Sequence, residues 1–339
     1  GYRLNHDTLP LRKKMKHHRD NLLKRYHRRS IRSHKWYLNF HLKHVHYFVY
    51  YFGQNIQQPP LPISYPWVMA LLTVPASIVV GFVLGGIAWW SDNRVAGRIT
   101  ETFQSLMRKE VRQDDELDPR GTGWLFAVNV LFPIALISMP ETPIFGGTKH
   151  WMTAMPFVAI IAAYGTIWAA TQIQLAGARQ KIATAALCLL VAAPAIYGTL
   201  HIHPFGTSYF NEFIGSTRGA ADAKMMRQFW GYASRQALPW LNEHAPDKAR
   251  VFTHNTTGYA WGDYSRDGLR RPDLRATNER ASTYALYHHQ KAFLHVIVSL
   301  WDIYGTMAPV HVVEIDGVPV LSVYERSQIK PNIKAKPQR

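Results

Sequence analysis

Four long uncharged runs dominate the first 200 residues of the chain. The first runs from Tyr65 to Trp90 and has 26 residues without a charged side chain. At about 1.5 Å per residue, a helix of this length crosses a hydrocarbon core of about 30 Å with some tilt. Trp67, Trp89 and Trp90 lie near its ends, where interfacial aromatic residues are common. A buried helix of a soluble protein is the alternative, but such helices usually have about 10–14 residues. The run therefore predicts a membrane span.

Three further runs have the same character: Gly121–Pro140, Trp151–Ala178 and Ile182–Leu200. Each contains a proline, which membrane helices tolerate when neighbouring groups satisfy the freed backbone carbonyls. With the first run they predict a four-span module over residues 62–200.

The polar sequence after residue 200 has the pattern of a small α/β domain, which we place at residues 201–326. Helical patterns cover Gly219–Asn242 and Gln290–Tyr304, and short β-rich runs lie between and after them. The last two runs, Val310–Ile315 and Val318–Tyr324, flank Asp316-Gly317, a dipeptide that favours a type I′ hairpin turn. The predicted fold class is a membrane all-α helical bundle of about four spans with a C-terminal soluble α/β domain, followed by a flexible tail at 327–339.

Residues 1–61 form a basic arm. Thirteen Lys or Arg residues and only two acids lie in residues 1–46 of a chain whose net charge is +17. Leu38, Leu42, Val45 and Val49 recur at helical spacing, so we predict an interfacial amphipathic helix from about residue 28 to Phe52. Beside membrane spans, such a basic block favours anionic lipid headgroups as its partner. Nucleic acid is the alternative, and steep salt dependence of DNA binding would reveal it.

Loop charges predict the orientation of the spans. The loop at 92–120 carries six Lys or Arg residues, and Arg179 and Lys181 lie in the turn before the last span. The connection between the second and third spans carries only Lys149. The positive-inside rule then places both chain ends and the α/β domain outside the cytoplasm. The basic arm argues for the opposite orientation.

Lys149 and His150 are the first candidate site. They stand where the third span begins, after the flexible Gly146-Gly147 pair, and a cation there suits the phosphate of a lipid carrier. The alternative is a lysine that only positions the helix end at the membrane surface. The spacing of these glycines and Lys149 does not fit a nucleotide-binding P-loop.

Other polar residues give weaker indications. His41, His44 and His46 form a cluster, but on a helix His46 points away from the other two, so we predict no metal site there. Glu212, Asp222 and Asp263 are candidate extracytoplasmic acids, although the sequence favours a solvated or capping role for each.

Several segments resemble the C-terminal half of bacterial family-39 glycosyltransferases of the GT-C type. They are HLKHVHYFVYYFG, PPLPISYPWVMALLTVP, TPIFGGTKHWMTAMPFVAI and SYFNEFIGSTRGAADAKMMRQFWG. The resemblance implies a multi-pass enzyme of the bacterial inner membrane, with its C-terminal domain extracytoplasmic. Such an enzyme transfers a sugar from a polyprenyl-phosphate carrier to a lipid, protein or glycan acceptor. The residues indicate no cofactor, and a divalent metal stays open as an alternative.

The same resemblance assigns roles to residues. Lys149 and His150, followed by Pro156, match the family pattern near which the carrier phosphate is thought to bind, and His44, His46 and Tyr47 would contact the substrate at the interface. The family's catalytic aspartate lies on the first extracytoplasmic loop. We expect that loop upstream of Gly1, so the chain would be a fragment that lacks the catalytic acid. A non-catalytic membrane-anchored binding or sensor protein is the alternative function.

Overall fold

The computed structural model describes residues 49–91, 119–142 and 147–327. The predictions for most of the basic arm, the 92–118 loop and the C-terminal tail therefore lie outside the described residues. The apolar helices and the α/β domain belong to one compact unit.

Nine α-helices are present in the described ranges. They are α1 (Tyr65–Thr73), α2 (Ala76–Ser91), α3 (Pro119–Ile137), α4 (Met155–Gln172), α5 (Ala178–Ile202), α6 (Ser216–Asp222), α7 (Ser234–His244), α8 (Gly258–Arg266) and α9 (Leu294–Tyr304). Seven strands accompany them. They are β1 (Val49–Tyr51), β2 (Gln54–Ile56), β3 (Arg250–Phe252), β4 (Arg275–Thr277), β5 (Tyr284–His288), β6 (His311–Ile315) and β7 (Val318–Glu325).

The prediction that the interfacial helix continues to Phe52 is wrong. Residues 49–51 form strand β1, which pairs antiparallel with β2. The turn between them consists of Phe52 and Gly53, both with positive φ (44° and 82°), as a type I′ turn requires. This turn reverses the chain before the proline-rich link, so a helix does not continue to Phe52.

The predicted single helix over Tyr65–Trp90 is also wrong, because the run is divided into α1 and α2. Their axes meet at 112°. Pro75 has no backbone N–H and disfavours helical geometry at the preceding residue, and Val74 is extended (φ −91°, ψ 136°). The first apolar run is therefore a broken helix.

Asn211 caps the broken end of α1. In a continuing helix the Leu71 carbonyl would accept a hydrogen bond from residue 75, but residue 75 is proline. Instead, the Asn211 side-chain amide donates to the carbonyls of Leu71 and Val74, each at 2.6 Å. The backbone N–H of Asn211 donates to the Leu72 carbonyl at 2.8 Å. Asn211 is fully buried, so one residue of the C-terminal region satisfies three carbonyls at the bend.

Glycines allow α2 and α4 to pack in close contact. A Cβ atom on Gly85 would lie 2.2 Å from the Ile161 carbonyl oxygen, and one on Gly165 would lie 2.1 Å from the backbone nitrogen of Gly85. Gly81 and Gly85 are four residues apart on one face of α2, the small-residue spacing that is common where membrane helices cross.

Two helical segments of the described chain are long and apolar enough to cross a membrane. They are Gly147–Gln172 and Ala178–Ile202, and the bent pair α1 and α2 meets the same criteria when counted as one span. The apolar part of α3, Thr122–Ile137, is a shorter apolar helix. The helical region is thus confirmed, with two or three candidate spans where the sequence predicted about four.

The C-terminal α/β domain is confirmed. Its five-stranded mixed sheet has the order β4-β3-β5-β7-β6, with β3 parallel to β4 and β5 and the β7 pairs antiparallel. Helix α7 packs on one face through Leu238 and Leu241, and α9 packs on the other through Ile297 and Leu300. The predicted turn at Asp316-Gly317 has positive φ at both residues, so the hairpin is confirmed.

One predicted helix of this domain is wrong, and one strand was missed. Residues 219–242 do not form a continuous helix, because the chain leaves α6 at Asp222 and enters α7 only at Ser234. Between them Lys224, Trp230 and Gly231 have positive φ, which a right-handed helix excludes. Strand β4 is three residues long, too short to show a periodic pattern.

The α2–α4 contact can be tested with adjacent glycines. We expect Gly85→Ala to destabilise the chain by about 1–3 kcal/mol, because its methyl group would overlap the backbone of α4. Gly86→Ala is the matched control, since no atom lies within 4 Å of the added Cβ. Thermal unfolding in detergent or nanodiscs gives the measurement. Equal melting temperatures for the two variants would contradict the packing.

Candidate functional site

A cavity of about 210 Å³ lies between the apolar helices and the C-terminal domain. One part of its wall comes from α1 and from the start of the Gly147–Gln172 segment, and the other from residues 206–230. The lining residues are Met69, Thr73, Val74, Thr148, Lys149, Trp151, Met152, Met155, Gly206, Thr207, Tyr209, Phe210, Phe229 and Trp230. None of them is acidic.

Lys149 is the charged residue among the described residues of this wall. It lies in a 3₁₀ segment, Gly147–Ala154, that leads into α4. Its ammonium nitrogen is 5.1 Å from the ring centroid of Trp230, within the range of a cation–π interaction. Two residues on, Trp151 is almost fully buried and meets the Tyr65 ring edge to face at 6.3 Å. The buried Trp151 therefore anchors the short segment that presents Lys149.

Gly147 lets this segment lie close to the C-terminal domain. Its φ is +65°, and a Cβ atom there would lie 2.7 Å from the Phe229 ring. A side chain at this position would be strained and would also push the segment away from Phe229. The glycine thus sets the distance between the Lys149 segment and the 229–230 part of the wall.

Tyr209 adds a polar group to the same cavity. Burial, with a smaller contribution from the charge of Glu212, raises the pKa of Tyr209 to about 12. The phenol is therefore neutral at physiological pH and keeps its proton to donate. Its buried hydroxyl has no hydrogen-bond partner among the described residues.

The structure brings together only part of the predicted site. Lys149 lines the cavity, whereas its neighbour His150 is not among the lining residues. The predicted contacts His44, His46 and Tyr47 lie outside the described residues.

The candidate acids also lie apart from the cavity. Neither Glu212, Asp222 nor Asp263 lines it, and Asp263 forms an ion pair with Arg266 on the same helix. Over the described ranges, no group of three His, Cys, Asp or Glu side chains is placed to hold a metal ion.

Sequence reasoning missed Tyr209 and Trp230, whose only indication was their place in the SYFNEF…QFWG segment.

Buried histidines form a second polar group, inside the α/β domain. His288 is fully buried, and its Nε2 lies 2.9 Å from the Gly231 carbonyl oxygen. The backbone N–H of His288 donates to Nδ1 of His254 at 3.1 Å. His289 Nε2 lies 2.8 Å from the Ser322 hydroxyl.

All three imidazoles are held neutral. Burial, with a smaller contribution from the neighbouring His254, lowers the pKa of His288 to about 3. Burial also lowers the pKa of His254 and of His289 to about 4, with smaller contributions from His295 and Arg227 respectively. The folded domain therefore takes up protons on these groups less readily than the unfolded chain.

Comparison of the chain with protein-family models, with curated proteins and with solved structures found no match.

The lowered histidine pKa values predict acid sensitivity. Between about pH 6.5 and pH 4 the unfolded chain binds protons that the folded chain does not, so stability falls as pH falls through this range. His289→Gln keeps a group able to bond to Ser322 and removes one titrating site. We expect its free energy of unfolding to depend less steeply on pH than that of the wild type, by a slope that corresponds to about one bound proton. Melting temperatures measured across this pH range give the comparison. The exposed His203→Gln is the control, and a His289→Gln profile parallel to wild type would contradict the prediction.

Proposed function

We propose that this chain is part of an integral-membrane glycosyltransferase that moves a sugar from a polyprenyl-phosphate carrier to an extracytoplasmic acceptor. In this proposal Lys149 binds the carrier phosphate. The main support for this proposal is the position of Lys149. It lies in a cavity that is lined by the apolar helices on one side and by the α/β domain on the other.

The composition of the wall suits a carrier with two chemically different ends. Met69, Met152 and Met155 are apolar and flexible, and they offer surface to the prenyl units nearest the phosphate. Thr148 and Tyr209 offer hydroxyl groups to the phosphate or to the sugar. Such a carrier must keep its chain in lipid while its head meets a polar acceptor at the membrane surface.

The charge of the wall also supports the proposal. Lys149 is a cation in a cavity that no carboxylate lines among the described residues. Transfer of the sugar leaves negative charge on the carrier phosphate, and a cation positioned in advance stabilises that charge as it develops. The Trp230 ring, about half exposed, holds the ammonium group by its π face at the cavity wall.

We propose four spans for this chain: α1 with α2, then α3, then Gly147–Gln172, then α5. The apolar side chains that α3 and α5 expose support this, because a lipid environment would cover them. They include Trp124, Leu125, Phe132, Leu136, Ile182, Leu189, Leu190, Ile196 and Leu200. With the cationic 92–118 loop in the cytoplasm, the Lys149 cavity and the α/β domain lie on the extracytoplasmic side of the bacterial inner membrane.

Replacement of Lys149 tests the proposal. We expect Lys149→Gln to weaken binding of a polyprenyl phosphate to the chain in nanodiscs by about 10- to 100-fold, because a charge-assisted contact to phosphate is lost. In a full-length enzyme that includes the catalytic aspartate, the same substitution should lower sugar transfer from the lipid-linked donor by about 10²-fold. Lys149→Arg should retain much of both activities, since it keeps the charge.

Lys181→Gln is the matched control. Lys181 is also at the start of a membrane helix, α5, but it does not line the cavity. Equal affinity of the Lys149→Gln and Lys181→Gln proteins for the carrier would refute the phosphate role. Absence of carrier binding by the wild-type protein would leave the membrane-anchored binding protein as the better account.

A further inference from the structure

A second cavity opens where the β1–β2 hairpin meets the α/β domain. Its volume is about 160 Å³, and it is separate from the Lys149 cavity, with no lining residue in common. The lining residues are Tyr50, Ala221, Lys224, Met225, Arg227, Tyr287, His289, Gln290, Leu294, Ile297 and Trp301.

Three lining residues carry polar groups that the described protein leaves without a hydrogen bond. They are the hydroxyl of Tyr50, the side-chain oxygen of Gln290 and the indole nitrogen of Trp301. Tyr50 and Gln290 are each only 5% exposed. Buried polar groups in native proteins are nearly always bonded, so several orphans around one cavity point to a partner that enters it. That partner must both donate hydrogen bonds, to Gln290, and accept them, from Trp301.

The charges around the cavity are all positive. Lys224 and Arg227 line it, and among the residues that the structure describes no acidic one does. Arg227 is held in place by a hydrogen bond of 2.9 Å from its guanidinium to the Pro319 carbonyl. Lys224 is held through its backbone, whose carbonyl accepts a hydrogen bond from Gly53 in the hairpin turn, and its aliphatic stem packs on the same glycine. The hairpin therefore fixes one of the two cations.

Size and shape restrict the ligand further. The cavity is smaller than the roughly 300 Å³ at which pockets for drug-sized molecules begin, so it suits a single ring. The side chains of Tyr50, Tyr287 and Trp301 are among the lining residues, and aromatic groups suit the C–H groups of such a ring. An anionic group, several hydroxyls and one apolar face are together the features of a sugar acid.

We propose that this cavity binds an acidic saccharide, a sugar unit that carries a carboxylate. Lys224 and Arg227 bind its anionic group, and Gln290 and Trp301 bind its hydroxyls. The proposal depends on this cavity alone and does not require the transfer reaction or the Lys149 site.

Direct binding tests it, with glucuronate, glucose and inorganic phosphate as probes and the full chain in detergent or nanodiscs. We expect saturable binding of glucuronate, tighter than that of either glucose or phosphate. Lys224→Gln should weaken glucuronate binding by about tenfold and leave glucose binding nearly unchanged, because only the anionic group loses its partner.

Lys248→Gln is the matched control. Lys248 is another exposed lysine with positive φ in the α/β domain (59°, against 58° for Lys224), so the two substitutions are equivalent for the backbone and for net charge. Trp301→Phe is a second variant, which keeps an aromatic ring and removes the unpaired N–H. It should weaken glucuronate and glucose binding alike, without altering the preference for the acid.

Three results would overturn the proposal. The first is no saturable binding of glucuronate to the wild-type chain. The second is equal affinity for glucuronate and inorganic phosphate, which would mean a plain anion site. The third is an equal effect of Lys224→Gln and Lys248→Gln, which would mean attraction by the overall charge. A fault in the Lys149 assignment would change none of these measurements, so the two proposals fail separately.

Discussion

The carbonyl groups at the end of α1 need hydrogen-bond donors that the chain around Pro75 does not provide. In an apolar environment each carbonyl left without a donor costs free energy comparable to a lost hydrogen bond. Asn211 supplies three donor contacts through its amide and its backbone N–H. The first apolar run can therefore bend by 112° only because a residue 136 positions along the chain from Pro75 covers the bend. This interaction joins the helical region to the C-terminal domain.

The Lys149 cavity follows from that joint. Residues on both sides of the Asn211 contact line it, Met69 and Thr73 from α1 and Tyr209 and Phe210 from the C-terminal region. A straight helix through residue 75 would carry the second half of the run away from this position. The second cavity has a similar origin, since the β1–β2 turn holds Lys224 against the α/β domain through Gly53. Both candidate sites thus lie where segments distant in sequence meet.

The sequence predicted the features that local pattern controls. The uncharged runs became helices, and Asp316-Gly317 formed the hairpin turn because the two residues accept positive φ. The bend at Pro75, the strand at Val49 and the break after Asp222 were missed. In each of these, long-range contacts or positive φ at Phe52, Lys224 and Trp230 override the local helical pattern. Lys149 was identified from its position alone, whereas Tyr209 and Trp230 reach the cavity only through the fold.

Replacement of Asn211 tests the dependence of the site on the joint. Asn211→Ala removes the two side-chain donor contacts, and Asn129→Ala is the control, because its amide donates to Leu125 within the same helix, α3. The account predicts that Asn211→Ala lowers stability by about 1–3 kcal/mol for each unpaired carbonyl. It also predicts weaker polyprenyl-phosphate binding in nanodiscs although Lys149 is unchanged. If Asn211→Ala melts and binds the carrier like Asn129→Ala, the bend does not depend on this cap, and the account is wrong.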